Sequence, residues 1–357
     1  MKKILFIIQF DSFIKTLIPL MKALISQDYR CDVVLLKQKF YKKNWISKEI
    51  LNLFSSIENK LNLFKVCKKR RVMQLIKENE YQSIVVGTTY TALLGKIDTH
   101  LKKHNLKTKL ISGYVGALLS NNYDGFIKGV HRRAYSNLIW TPGKASKDYI
   151  NSLNIIDRKK TKVVDTGLPR FDELYIRKNE IKASPKKDII FFEQPTFPET
   201  KKERETLVNR LIELAILNKK CNVIIKPRFN KKIGHAHRPK YLLQDILYKI
   251  KNLPPNIKIC NDNIYDLFKN CKLAITISST AGLESLLVGI PTLFINDFCG
   301  NINKYGSDDF KKINATISFN KLFNNDIPDI NYNMVKDIVR FDGKNTIRLL
   351  NEIMLLS

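Results

Sequence analysis

Short apolar runs rich in Ile, Val, Leu and Phe alternate along the chain with stretches whose apolar positions recur every three or four residues, a pattern of strands that feed helices. Residues 4–8 read as a buried strand and 12–25 as an amphipathic helix with Pro19 inside it, which leaves Asp11 in the first strand-to-helix loop. Residues 31–36 predict a second strand, 47–53 and 66–79 two helices, and 83–86 a strand ending at Gly87. A helix over 90–104, a strand over 109–112 running into Gly113-Tyr114-Val115-Gly116, a strand over 138–141, a helix over 143–151 and a strand over 162–164 complete this first series. The Lys-rich stretch 177–187 has the composition of a linker. A second series follows, with strands over 188–192, 222–226 and 257–260 and helices over 201–218, 241–252 and 264–270. The tail, 335–355, reads as largely helical.

One stretch organises the second series. Residues 274–277 form a short apolar strand, Ser278, Ser279 and Thr280 follow as possible caps, Leu283, Leu286 and Leu287 mark a helix face, and Gly289 and Pro291 stop it. A helix N-terminus at the carboxyl end of a parallel strand offers free N–H groups and the positive end of a dipole to an anion, a phosphate first of all. Glu284 stands one turn above Thr280, within reach of a sugar hydroxyl. The same residues equally make a plain N-cap followed by a solvated Glu. Four strand ends of this series carry polar groups: Glu193-Gln194, Lys226 with Arg228, Asp262-Asn263, and Ser278-Ser279-Thr280. In a parallel sheet they share one edge. Lys226 and Arg228 suit phosphate oxygens, and His235 and His237 in the following loop add imidazole donors. No carboxylate or cysteine stands near those histidines at ligand spacing, so neither a metal nor a cofactor is expected.

Composition narrows the partners. The 357 residues are enough for two α/β domains, 1–176 and 188–334, joined by the linker 177–187, with 335–357 as helices that cross back to the first. Lys and Arg number 62 against 33 Asp and Glu, a net charge of +29, which points to an anionic substrate or surface or else to a compositional habit of the source. Lys65, Lys68, Lys69, Arg70 and Arg71 cluster beside Phe64, Val66 and Val72, so peripheral attachment to the inner face of the cytoplasmic membrane is expected. The six cysteines have no metal-ligand spacing and read as reduced cytosolic thiols. The N-terminal apolar run is broken by Gln9 and Asp11, which favours a first strand over a signal segment.

The stretch Phe191-Phe-Glu-Gln-Pro-Thr-Phe-Pro198, then Ile225-Lys-Pro-Arg228 with His235-Ala-His237, then Ile277 to Pro291 and Asn296-Asp-Phe298 resembles a family of bacterial surface-polysaccharide glycosyltransferases of the GT-B fold. The Ser278-Ser279-Thr280 segment and Gly167-Leu-Pro-Arg-Phe-Asp172 also resemble sialyltransferases, Kdo transferases and polyol-phosphate transferases that use cytidine nucleotides. The resemblance implies two Rossmann-like domains facing a central cleft. It implies a nucleotide-sugar donor in the second domain and a glycan or glycolipid acceptor at the first. Many such proteins carry His-Pro where this chain has Lys226-Pro227-Arg228, so Arg228, His235 or His237 must stand in for that histidine.

A metal-independent, inverting transfer needs cations and a helix end on the departing phosphate and a base on the acceptor hydroxyl. Asp11 is the leading base, with N-capping of the first helix as its alternative role, and His131 in the basic segment His131-Arg132-Arg133 stands behind it. The doubly anionic character of a CMP-activated acidic sugar suits the positive charge best, with transfer to capsule or lipopolysaccharide, and a UDP-sugar comes second. Two rival readings remain. An epimerase of the same fold needs acid and base carboxylates at the donor, a role Glu193 would fill. A nucleic-acid-binding protein needs interleaved aromatic and basic residues on a recognised module, which the chain lacks.

Overall fold

The computed structural model describes residues 2–36, 48–55, 57, 61–88, 91–116, 124–194, 197–228, 240–298 and 307–356. His235 and His237 lie outside the described residues. The chain divides into two compact units, one of Met1–Glu173 with Asp337–Ser357 and one of Leu174–Lys336.

The first unit is built on seven strands: β1 (Lys3–Ile8), β2 (Arg30–Leu36), β3 (Leu61–Cys67), β4 (Ser83–Gly87), β5 (Lys109–Gly113), β6 (Leu138–Trp140) and β7 (Lys162–Val164). They pair throughout in parallel, in the order β3-β2-β1-β4-β5-β6-β7. Parallel strands bury both faces, which is why β1 is apolar at every position from Ile4 to Ile8. The period of two then divides it. Ile4, Phe6 and Ile8 pack with α1 (Asp11–Ser26), while Leu5 and Ile7 pack with α3 (Lys69–Glu78) and α4 (Ala92–Lys103). The remaining helices of this sheet are α2 (Lys48–Ser55), α5 (Asp124–Arg133) and α6 (Lys144–Ser152).

The second unit repeats the plan. Its strands are β8 (Asp188–Phe192), β9 (Val223–Lys226), β10 (Ile257–Ile259), β11 (Cys271–Thr276), β12 (Thr292–Ile295) and β13 (Thr316–Ile317), all parallel, in the order β10-β9-β8-β11-β12-β13. The helices are α7 (Phe171–Ala183), α8 (Lys201–Leu217), α9 (Leu243–Leu247), α10 (Ile264–Asn270), α11 (Thr280–Leu287), α12 (Ser307–Lys312) and α13 (Phe319–Phe323), followed by α14 (Tyr332–Ile338) and α15 (Asn345–Met354). Counted from its own first strand, each sheet has the order 3-2-1-4-5-6 of a doubly wound nucleotide-binding fold, with a seventh strand beyond the sixth in the first sheet. The α/β class expected from the sequence is therefore the fold of both units.

Several elements differ from the sequence expectation. The helix expected over 66–79 starts only at Lys69, because Leu61 and Leu63 alternate with polar neighbours and pair with β2 as an edge strand. The helix expected over 241–252 is a single turn, closed before Asn252 takes a positive φ of 60°. The expected linker over 177–187 lies largely inside α7, and Lys186 Nζ donates to the carbonyls of Phe268 (2.8 Å) and Lys269 (2.9 Å) near the end of α10. Helices α5, α12 and α13 and strand β13 had no counterpart in the pattern. Among the described residues no helix is long and apolar enough to cross a membrane.

The tail forms two helices, and the second is anchored to the first sheet. Leu349, Leu350 and Ile353 of α15 are buried against α1 and β1, each contributing about 1.5–3 kcal/mol. The motif 167–172 fixes the entry of that helix. Gly167 has a φ of 79°, and a Cβ there would stand 2.2 Å from Asn345 Oδ1. Asn345 Nδ2 donates to Leu168 O (3.2 Å), and the Asp172 carboxylate accepts the backbone N–H groups of Asn345 (2.9 Å) and Thr346 (2.7 Å). Asp172 thus satisfies two N–H groups that open α15, and losing a cap of this kind costs about 0.5–2 kcal/mol. Asp172→Ala is expected to lower the unfolding free energy by that amount, read as a lower urea midpoint at unchanged slope, and an unchanged midpoint refutes the anchoring role.

Candidate functional site

In a doubly wound sheet the chain leaves in opposite directions from its two central strands, and their carboxyl ends leave a crevice. In the second unit those strands are β8 and β11. Their register pairs Phe192 with Thr276, and Phe192 also pairs with Lys226 of β9, so the three strands end level.

The turn out of β11 is built by hydroxyls. Thr276 Oγ1, fully buried, donates to Phe192 O (2.8 Å) and accepts from Ser279 N (3.1 Å), which bends the chain from strand to helix. Ser279 then caps α11, its Oγ accepting Ala281 N at 3.3 Å. Gly282 lets that helix press on the sheet, since a Cβ there would meet Thr276 Cγ2 at 2.7 Å. Thr280 is half-buried at the first helical position, and Glu284 is buried one turn on.

Glu193 follows β8 and is 3% exposed. Its Oε1 receives Arg204 Nη1 of α8 at 2.9 Å, and its Oε2 receives the Arg228 backbone N–H at 3.3 Å. Arg204 also donates through Nε to Pro198 O (2.8 Å) and through Nη2 to Gln194 O (3.3 Å). Burial pushes the Glu193 carboxyl above its ordinary range, while Arg204 and the Arg228 amide pull it back. With both oxygens engaged, Glu193 positions the edge rather than facing a ligand. Arg204 escaped the sequence reading. Its signal was a cation on the stripe Arg204, Leu207, Val208, Leu211 that α8 buries.

Two oxygens on this edge have no hydrogen-bond partner though they are buried: Gln194 Oε1, just past β8, and Ser278 Oγ, just past β11. Buried polar atoms are almost always satisfied, so such a pair at the switch point marks the edge as the candidate site. Lys226 is half-buried at the end of β9, Arg228 is exposed two residues on, and Asp262 is exposed beyond β10. Asn263 caps α10 through Tyr265 N (2.8 Å), a structural task. The row therefore unites Lys226, Gln194, Ser278, Ser279 and Thr280, with Glu193 behind it.

The corresponding crevice of the first unit lies between β1 and β4. Asp11 is half-buried there as the first residue of α1, where the helix dipole favours a carboxylate. It is neither in a loop nor the N-cap, which is Phe10. Gln9 N donates to Gly87 O at 3.0 Å, and Thr88 Oγ1 bonds Gln9 Oε1 beside it. His131 is exposed in the last turn of α5. A crossover helix runs back toward the amino ends of the strands, so His131 and Asp11 are not brought together. The motif 167–172 serves the α15 anchor described above. Among the described residues no group of three His, Cys, Asp or Glu is placed to hold a metal ion.

A family model described as "Putative glycosyltransferase (DUF6716)" matches residues 4–328. No curated protein matches the chain. Solved structures similar to it include the S. aureus MnaA–UDP complex, at 15% identity and TM-score 0.65, covering 99% of this chain and 96% of that one. The UDP-GlcNAc 2-epimerase of Neisseria meningitidis bound to UDP-GlcNAc is similar at 12% identity and TM-score 0.67, covering 99% and 100%. Anabaena Alr3699/HepE with UDP and glucose is similar at 14% identity and TM-score 0.56, covering 100% and 97%. At these identities the likeness establishes the fold, the two Rossmann-like domains of the GT-B class.

The buried pair generates a stability prediction. Removing one partner of a buried ion pair costs roughly 3–5 kcal/mol, whereas replacing both with apolar groups is often neutral. Arg204→Met is expected to lose that amount in a denaturant titration, and the double variant Glu193→Leu/Arg204→Met to recover most of it. Equal losses in both variants contradict the pairing.

Proposed function

The chain belongs to the DUF6716 glycosyltransferase family, and we propose that it transfers a sugar from a nucleoside diphosphate sugar to a hydroxyl of a bacterial surface glycan. The observation that carries the donor assignment is the pair of unsatisfied buried oxygens, Gln194 Oε1 and Ser278 Oγ, flanking the switch point beside the N-terminus of α11. The donor phosphates sit against the Ser278 hydroxyl and the Ser278 and Thr280 N–H groups at the start of α11, since those of Ser279, Ala281 and Gly282 are bonded within the turn, with Lys226 and Arg228 as cations, while Gln194 Oε1 accepts from a ligand N–H or O–H. Glu284 remains assigned to a sugar hydroxyl.

Charge and resemblance to cytidine-nucleotide users favour a CMP-activated acidic sugar. Similar solved structures bound to UDP, UDP-GlcNAc, or UDP and glucose favour a uridine diphosphate. Lys226 and Arg228 can serve either, and the fold-level support outweighs the charge argument, so we rank a UDP-sugar first. Transfer is by direct displacement. The acceptor oxygen bonds to the anomeric carbon as the carbon–oxygen bond to phosphate breaks, the nucleotide leaves with the electron pair, and Asp11 takes the hydroxyl proton. That course inverts the anomeric centre. An epimerase is the weaker reading, because both oxygens of Glu193 are engaged by Arg204 and the Arg228 amide.

Attachment to an anionic membrane surface stays in the proposal on electrostatic grounds alone. Lys68, Lys69, Arg70 and Arg71 are exposed at the start of α3, but Val72 is fully buried and Phe64 packs against the same core, so neither of these two supplies an apolar edge beside the charge. Sedimentation with anionic vesicles at low salt is expected and is lost at high salt, each cation near the surface contributing about 1 kcal/mol. Equal sedimentation with neutral vesicles counts against it.

A donor panel tests the main reading. UDP is expected to bind more tightly than CMP in calorimetry, and Ser278→Ala to weaken it by about tenfold or more, as for a hydrogen bond to a charged group worth about 1.5–3 kcal/mol. Asp11→Asn keeps that affinity but loses about 10²-fold or more in turnover with a glycolipid acceptor. Binding of CMP alone reverses the ranking, and full turnover of Asp11→Asn removes the base.

A further inference from the structure

Away from the candidate row, the second unit exposes large apolar side chains where its chain turns from helix back to strand. Helix α8 runs from the carboxyl end of β8 to the amino end of β9, and its last two residues, Ile216 and Leu217, are 53% and 57% exposed. Lys219 and Lys220 follow at once, both exposed, before β9 begins at Val223. Helix α9 packs on α8, and its C-cap Tyr248 is 74% exposed, with Lys249 and Lys251 exposed just beyond. The stretch that then leads to β10 is tied to the end of α8, because Asn256 Nδ2 donates to the carbonyls of Ala215 (2.9 Å), Asn218 (3.2 Å) and Cys221 (2.9 Å). Both stretches therefore belong to one surface.

A lone exposed apolar residue is ordinary, whereas three of them beside four cations make an amphipathic face. Among the described residues none of these four lysines has an ion-pair partner, although Lys201 pairs with Glu205 and Lys321 with Asp326 elsewhere in the unit. Two acids stand near the face, Glu213, held by Arg210 at 2.9 Å, and Asp245. The face is thus cationic as well as apolar. A second copy in a two-fold contact would set lysine against lysine, and protein interfaces are depleted in lysine. An anionic bilayer answers both features: its headgroups attract the lysines, and tyrosine and aliphatic tips enter the boundary between headgroups and acyl chains.

We propose that Ile216, Leu217 and Tyr248, ringed by Lys219, Lys220, Lys249 and Lys251, form a docking face for an anionic lipid bilayer on the second unit. The attachment described for the first unit rests on charge alone. This one joins charge to apolar side chains, and it stands whether or not the α3 cluster binds. It is also independent of the glycosyl-transfer reading, which gives it a use, since a glycolipid acceptor lies at such a surface.

The test starts from the full chain with Lys68, Lys69, Arg70 and Arg71 each replaced by Gln, which removes the α3 cluster. Its binding to phosphatidylcholine vesicles with and without phosphatidylglycerol is measured. Binding to the anionic vesicles is expected to persist, to fall about fivefold for each of Lys219, Lys220, Lys249 and Lys251 replaced by Gln, and to fall about tenfold in Leu217→Ser/Tyr248→Ser. In Tyr248→Trp the emission is expected to be quenched by brominated acyl chains. Failure of the starting variant to bind anionic vesicles overturns the proposal, and leaves the α3 attachment standing if the unsubstituted chain binds. Binding that leaves Tyr248→Trp unquenched overturns it too. Dimerisation without vesicles that Leu217→Ser/Tyr248→Ser abolishes assigns the face to a second copy and overturns it as well.

Discussion

The carboxyl edge of the second sheet depends on the ion pair between Glu193 and Arg204. Two charges taken out of water are stable together only when the remaining donors and acceptors are also met. Here they are. Arg204 spends its fork on Glu193, Pro198 O and Gln194 O, and Glu193 uses its second oxygen on the Arg228 amide. One buried contact of 2.9 Å therefore fixes the ends of β8 and β9 and the start of α8 relative to one another. Rigid placement of that edge is what allows Gln194 Oε1 and Ser278 Oγ to remain buried and unsatisfied. A looser edge would let them turn to water or to the backbone.

The same constraint assigns tasks to residues that look alike in the sequence. Glu193 and Gln194 are neighbours, yet the first has both oxygens engaged by Arg204 and the Arg228 amide and the second keeps a buried oxygen without a partner. Ser279 caps a helix while Ser278, one position earlier, has nothing to bond. In the first unit Asp172 and Asp11 both stand at helix starts. Asp172 accepts two N–H groups of α15, a task of anchoring, whereas Asp11 opens α1 at the crevice between β1 and β4.

What the sequence makes legible follows from which forces act locally. Strand β8, strand β7 and helix α10 have the limits that apolar runs and breakers predict, because burial on both sheet faces writes itself into consecutive positions. Edge strand β3 was missed since an edge needs fewer apolar residues, and its basic continuation into α3 read as one helix. The stretch 177–187 read as a linker because α7 has polar residues around most of its circumference, and only tertiary contacts such as that of Lys186 hold it. The convergence of Lys226, Gln194 and Ser278 was visible from strand ends alone. Arg204 was not, since its place is set by pairing across distant segments, and no spacing rule carries that.

The central claim is that a nucleotide occupies the switch point of the second sheet, against the turn from β11 into α11. Amide hydrogen exchange with and without saturating UDP tests it most directly, because the backbone N–H groups at that turn are the proposed phosphate donors. The account predicts slowed exchange at Ser278 and Thr280 in the second unit, the amides of that turn not already bonded as those of Ser279 and Ala281 are. Measurable UDP binding that leaves those amides unprotected, with protection confined to the first unit, would contradict it.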